Sequence, residues 1–361
     1  MGWFMLLYRL PDEWLCATIQ LMGWDITGHE WAVSLLQQQV ARGELRHAYL
    51  FTGPPGVGRR TLALRFAQAV NCSDPPEPGI PCRTCKNCIA IEGMQQADLS
   101  VLQSAQEGAV LDIDAVRELQ RKLILSPYQS NYRVALLLRF QEASPSAQNA
   151  LLKTLEEAPA KVILLLTADS AESMLPTIVS RCEHLRLRPL SLAQTRESLI
   201  DTWQVPSEEA SLIAHISAGR LGYAIRLHKD ADLMMRRSQA LEDLWLVLSE
   251  TRRGRFSYVA NEYFGRRRSK EDREELRAQL SFNMQTWMSF WRDVMLRSAN
   301  EQATILNPDQ EERVMCLIKR VDSLQASQFV ATLEKCTSRL NNANLQLMME
   351  VLLLDWPHIE E

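Results

Sequence analysis

The sequence predicts a chain that is α/β over its first half and all-α over its second. Three observations lead there. From about residue 28 to 188, short apolar β-like runs alternate with amphipathic helical patterns, the signature of a parallel sheet with helical crossovers. The run Ala48-Tyr49-Leu50-Phe51-Thr52 feeds straight into a glycine loop at residues 53–61, G-P-P-G-V-G-R-R-T. Beyond about residue 233 the pattern is helix or polar loop throughout. At 361 residues the chain is long enough for two or three cores.

The elements follow in order. After the strand at 48–52, a helix is expected over about 60–70, with Leu62, Leu64, Phe66, Ala67 and Val70 on its apolar positions. A Pro- and Gly-rich insertion carrying four cysteines comes next. Residues 99–102 read as a short strand, 112–125 as a helix and 134–138 as a fully apolar central strand. Ser144-Pro145 is an N-cap followed by proline at the first helical position, opening a helix to about residue 157. Strands at 162–167 and 184–187 follow, and Pro189 closes the α/β domain. Residues 190–231 read as a small helical unit and 232–361 as a larger helical domain. In the latter, Leu280, Met284, Trp287, Trp291 and Val294 share a wide apolar face. That face reads as a bundle core.

Composition sets limits. Hydrophobic residues make up 46% and charged residues 23%, ordinary values for a globular chain. A net charge of −4 argues against a generally sticky nucleic-acid binder. Residues 1–23 read as an N-terminal extension, from a mis-called start or a frayed helix. Arg9, Asp12 and Glu13 interrupt its apolar patches, so no membrane span is expected. No clear secretory signal is present either, and the chain is expected to be cytoplasmic. Four of eight cysteines, Cys72, Cys82, Cys85 and Cys88, form C-x9-C-x2-C-x2-C, while the rest are scattered. Four thiolates with two C-x2-C turns suit a closed, structural Zn²⁺ site. Four unrelated thiols, or a redox C-x-x-C pair, are the competing readings.

The glycine loop has the frame of a phosphate-binding loop, G-x-x-x-x-G-K-[ST], without its chemistry. Gly53, Gly56 and Gly58 are in place, but Arg59 stands where lysine belongs and Arg60 where the hydroxyl belongs, with Thr61 one position late. In such proteins a buried strand ends in an aspartate that holds Mg²⁺. Here the strand at 134–138 runs into Arg139 and Phe140, and Glu142 comes two residues later. ATP binding at the chain's own site is therefore doubtful, and intrinsic ATPase activity is not expected.

Residues 146–157, S-A-Q-N-A-L-L-K-T-L-E-E, with Pro159 close behind, resemble a helix of bacterial clamp-loader subunits. Ser180-Arg181-Cys182, preceded by Leu175-Pro176-Thr177-Ile178, resembles their S-R-C motif. His47-Ala48-Tyr49-Leu50-Phe51 and the four-cysteine insertion belong to the same pattern. The chain thus resembles the AAA+ clamp-loader subunits of DNA polymerase III, densely over about 26–189 and only in architecture beyond 233. The resemblance implies an AAA+ domain at 24–189 with a zinc insertion at 72–88. A small helical lid at 190–231 and a C-terminal helical collar at 232–361 would follow.

It also implies a hetero-pentamer with gamma/tau ATPase and delta subunits that opens a sliding clamp and sets it on primer-template DNA, assembled through the C-terminal domain with part of the apolar face at 280–294 as an interface. Arg181 would be an arginine finger projected into a neighbour's ATP site; the alternative is an arginine paired with a local carboxylate. Thr167 falls at the sensor-1 position, where a strand-end hydrogen bond is the other reading. In Gly219-Arg220-Leu221-Gly222-Tyr223-Ala224, Tyr223 takes the place of the sensor-2 arginine, with the nearby Arg220 as the other candidate for that role. The arginines at 252, 253, 255 and 266–268 either touch DNA phosphates or line a solvated, salt-bridged face. The leading function is a non-hydrolysing clamp-loader subunit. An active AAA+ ATPase motor and a zinc-dependent nucleic-acid binder are the alternatives.

Overall fold

The computed structural model describes residues 23–104, 108–265, 270–340 and 343–359. Residues 1–22, and with them nearly all of the N-terminal extension, lie outside the described residues, as do Arg266, Arg267 and Arg268. Two compact units are present: residues 1–190 with 220–222, and residues 191–219 with 223–361.

The first unit holds five parallel strands: β1 (Ala48–Thr52), β2 (Leu99–Leu102), β3 (Arg133–Leu137), β4 (Val162–Ala168) and β5 (Glu183–Arg186), in the order β2-β3-β4-β1-β5. The central strands β1, β3 and β4 are buried along their whole length, as a parallel sheet covered on both faces requires. Alternate residues feed two cores. Tyr49, Phe51, Leu136 and Leu165 pack beneath α1 (Glu30–Arg42) and α2 (Arg59–Asn71). Leu50, Leu137, Leu164 and Leu166 face α4 (Ile113–Leu123) and α5 (Pro145–Glu156). Between them α3 (Lys86–Glu92) belongs to the cysteine insertion. Ser144 caps α5 by accepting from the Ala147 amide, with Pro145 at its first turn, as the sequence predicts. The strands at 134–138, 162–167 and 184–187 begin or end one residue from the predicted bounds. A short helix α6 (Pro176–Val179) precedes β5.

β1 lies between β4 and β5, pairing Thr52 with Ala168 and with Arg186. The loops leaving the carboxyl ends of β1 and β4 are therefore neighbours. In open α/β sheets that edge is where ligands bind.

The second unit is helical: α7 (Leu192–Asp201), α8 (Ser207–Ser217), α9 (Leu221–Lys229, its first two residues in the first unit), α10 (Ala231–Ser249), α11 (Arg252–Phe264), α12 (Lys270–Ala299), α13 (Glu311–Leu317), α14 (Ser323–Arg339) and α15 (Leu345–Leu354). The apolar face of α12 is its core: Leu280, Met284, Trp287, Trp291 and Val294 are buried within this unit, with Trp356 edge-on to both tryptophans. These side chains are therefore not an exposed interface. Among the described residues no helix is long and apolar enough to cross a membrane.

Candidate functional site

The glycine loop forms as the sequence predicts and is held in a left-handed backbone at Gly53, Gly56 and Gly58, with φ of 148°, 85° and 109°. At Gly53 a side chain is excluded twice, since a Cβ there would lie 2.4 Å from the Leu187 carbonyl oxygen. The loop ends at the N-terminus of α2, where free amides and the helix dipole favour an anion. The residue placed to meet that anion has another partner. Arg59 is buried and its Nη1 lies 2.7 Å from Asp169 Oδ1, just beyond β4. The Gly53 amide donates to the Asp169 carbonyl at 3.2 Å, joining the two loops a second time. Arg60 is exposed and reaches Met94 Sδ at 3.6 Å, and Thr61 is exposed on the helix. Gly222, which lies in the first unit, donates its amide to the Gly56 carbonyl at 2.8 Å, so one loop carbonyl is also occupied. The cavity at the carboxyl ends of β1, β4 and β5, lined by Thr52, Gly53, Asp169, His184 and Arg186, holds about 150 Å³. Cofactor pockets usually span roughly 300–1,000 Å³.

The second chemical position is occupied in the same manner. Arg139 follows β3 with φ 49°, and its Nε donates to both carboxylate oxygens of Glu142, at 3.1 and 3.0 Å. Its Nη2 donates to Ser104 Oγ at 3.0 Å, and Ser104 in turn donates to Glu142. Phe140 is buried and offers no ligand atom, and the carboxylate of Glu142, in a single 3-10 turn, is occupied by Arg139, Ser104 and the Gly108 amide. Thr167 Oγ1 accepts from the Arg139 amide at 2.9 Å, the strand-end role. Two arginines thus sit at the two positions where a nucleotide hydrolase handles phosphate and metal, and each is neutralised by a carboxylate of its own unit.

Arg181 lies between α6 and β5. Its Nη2 is 2.6 Å from Glu156 Oε1 and its Nη1 donates to the Thr177 carbonyl at 2.9 Å. The side chain keeps 35% of its surface exposed. The local-carboxylate reading therefore describes the pairing in this chain, while the exposure leaves the guanidinium within reach of a second chain. Beside it, burial pushes the Cys182 thiol up to about 12, which leaves that sulfur inert at neutral pH. His184 is held below the ordinary histidine range by burial and by Arg186.

The four cysteines converge. Their sulfurs all lie within 4.8 Å of one another, against the separation of about 3.8 Å that a tetrahedron with Zn–S bonds of about 2.3 Å demands. The amides of Cys82, Cys85 and Cys88 donate to the sulfurs of Cys72, Cys82 and Cys85 at 3.3, 3.3 and 3.4 Å, an arrangement that stabilises thiolates. At Cys85 burial acts to raise the thiol, yet hydrogen bonds from Ser73 and the Cys88 amide bring it down to about 6. All four ligand positions come from the chain, so a bound ion would have a closed shell and a structural role. The insertion is tied to α2, since Gln68 Nε2 donates to the Cys88 carbonyl at 2.7 Å and Arg65 pairs with Glu92.

Sequence reasoning misplaced one arginine. Arg255 touches neither phosphate nor solvent: it is 2% exposed and serves as a buried cap for helix ends. Its guanidinium donates to the carbonyls of Val247, Leu353, Trp356 and Pro357 at 2.8, 2.9, 2.7 and 2.6 Å. The signal was available, since Arg255, Val259 and Tyr263 fall four residues apart on one buried stripe of α11. Truncating Arg255 to alanine would leave these carbonyls buried without donors. We expect a loss of roughly 3–5 kcal/mol, read as a shift of the urea midpoint, whereas Arg252→Ala on the exposed side changes stability by less than about 0.5 kcal/mol.

Comparison with known proteins finds similarity to subunits of DNA polymerase III. Residues 28–191 match the family model described as DNA polymerase III, delta subunit. Over those residues the chain is similar to that family. Over nearly its whole length the chain is similar to the delta′ subunit of DNA polymerase III from Bacillus subtilis. The two are 24% identical over 323 residues, 89% of this chain and 94% of that one. The tau subunit of the same organism is 32% identical over 208 residues, 56% of this chain, and this chain spans 36% of tau's length. A solved gamma subunit-related protein of Thermotoga maritima superimposes with a TM-score of 0.47 at 18% identity, covering 89% of this chain and 97% of that one.

Proposed function

We propose that the chain is a non-hydrolysing subunit of a DNA polymerase III clamp loader and supplies Arg181 in trans to the ATP site of a neighbouring subunit. The observation that carries the reading is the pairing of Arg59 with Asp169, which neutralises the loop cation placed for the phosphates of a nucleotide. Arginine cannot simply take the place of a lysine ammonium here, being larger, planar and fixed in its fork. With Arg139 engaged by Glu142 as well, neither the phosphate-reaching cation nor the metal-holding acid remains at the chain's own site. Relatedness to delta′ and tau supports membership of a clamp-loader complex.

In this reading the α/β domain spans 24–189, with a Zn²⁺-ordered insertion at 72–88. Residues 190–231 form a lid, 232–361 form the collar through which a hetero-pentamer assembles, and 1–23 are an extension. The partners are gamma/tau ATPase subunits and delta. Through the assembled complex the chain acts on the sliding clamp and primer-template DNA, in the cytoplasm. Reconstitution tests it. Mixed with gamma/tau and delta, the chain is expected to co-elute in one complex whose DNA-stimulated ATP turnover depends on its presence. A chain that stays apart from these partners, or binds DNA tightly and salt-sensitively alone, contradicts it.

A further inference from the structure

We infer that Glu156 is a positioning residue for Arg181, holding the guanidinium in the plane in which it is offered to a phosphate on another chain. The inference rests on the trans-arginine reading above and adds to it the residue that makes the arginine usable.

Arg181 is engaged from two helices. The Thr177 carbonyl belongs to α6, and Glu156 is the last residue of α5. These contacts use Nη1 and Nη2, with Nη1 also reaching Ser180 Oγ at 3.4 Å, and they fix the plane of the fork; a guanidinium carries five N–H donors, so donors remain for an outside acceptor. The supporting frame is itself tied down. Gln148 of α5, buried, accepts from the Leu175 amide at 3.0 Å, which joins α5 to the start of α6. At the other end of α5, His47 Nε2 lies 2.8 Å from the Leu155 carbonyl oxygen, one residue before Glu156. His47 immediately precedes β1 and thus the glycine loop. The carboxylate is therefore presented by an anchored helix end rather than by a loop.

Chemistry separates this role from a structural one. Glu156 is 51% exposed and Arg181 35% exposed, and surface pairs of that kind add little to stability. A long arginine is rotamer-rich, and its contribution to a phosphoryl-transfer transition state depends on being in place beforehand. Orientation is what this pair contributes.

A double-mutant cycle in the reconstituted complex tests it, using Glu156→Ala, Glu156→Gln, Arg181→Ala and the Glu156→Ala/Arg181→Ala pair. Turnover is measured over a range of ATP concentrations, with assembly followed by size exclusion. Glu156→Ala is expected to lower kcat by about 3- to 10-fold at the site Arg181 serves, the size of coupling between residues in contact, at unchanged KM. Glu156→Gln, which keeps an acceptor oxygen, restores part of that loss. In the Arg181→Ala background the Glu156 change has no further effect. If Arg181→Ala lowers turnover and Glu156→Ala does not, the positioning role is wrong while the trans-arginine reading stands. If Glu156→Ala lowers turnover equally with and without Arg181, Glu156 acts on folding or assembly and the inference is overturned. If Arg181→Ala itself changes nothing, the reading falls and this inference falls with it.

Discussion

In a clamp-loader complex rebuilt with Arg181→Ala, ATP turnover is expected to fall while assembly is retained. Arginines of this kind contribute roughly 10³–10⁵ in rate to phosphoryl transfer. On the trans-arginine reading the neighbouring ATP site should therefore become effectively silent, and total turnover should drop by that site's share. The fold is not at risk. Arg181 makes a half-exposed pair with Glu156, and such pairs are worth about 0–1 kcal/mol. Arg181→Lys keeps the charge but loses the fork that can clamp two phosphate oxygens at once, so it should recover little. Steady-state ATPase assays with saturating clamp and primed DNA, alongside size exclusion, read both effects. Turnover equal to wild type in a complete complex would show that Arg181 does no more than pair with Glu156.

On the structural-zinc reading, stripping the ion from the four cysteines is expected to unfold the cysteine insertion without melting the sheet. The segment between Cys72 and Cys88 is rich in proline and glycine and offers few apolar side chains, Ile80 being one of the few that is buried. In isolated peptides four-ligand zinc sites contribute about 10–16 kcal/mol to folding. Here part of the order comes from α2 instead, through Gln68 and the pair of Arg65 with Glu92. Cys88 is fully buried, and Cys88→Ser should be the most damaging of the four single changes. Metal analysis of the purified chain should give one zinc ion per molecule. Chelation should open the segment at 73–81 to proteases while sheet and helix content are kept. A metal-free chain with a protease-resistant insertion would exclude the structural-zinc account.

How far the sequence led can be judged residue by residue. The run of Ala48–Thr52 into Gly53, the Ser144-Pro145 cap and the cysteine spacing were each readable, because each is a local pattern whose physics lies within a few residues. That arginines stand at both chemical positions was also readable, from Arg59 and Arg139. What became of those arginines was not. Asp169 is distant from Arg59 in sequence, and the two meet only because β1 and β4 are neighbours in the sheet. Glu156 and Arg181 are brought together by the packing of α5 beside α6, which no spacing rule announces. Arg255 failed for another reason. Its neighbours Arg252 and Arg253 suggested a charged, solvated stretch, and composition outweighed a helical stripe that pointed inward. Charge runs describe average environments, and a single member can be enclosed when helix ends supply carbonyls to receive it.

The central claim is that the chain's own phosphate seat is retired, and the most direct test is Mg²⁺–ATP turnover by the isolated chain. With Arg59 held by Asp169 and Arg139 by Glu142, the account predicts no hydrolysis above background by the pure protein. It also predicts none after Arg59→Lys, because no carboxylate stands at the end of β3 to hold the metal. Mg²⁺-dependent hydrolysis by the wild-type chain, free of any partner, would contradict it.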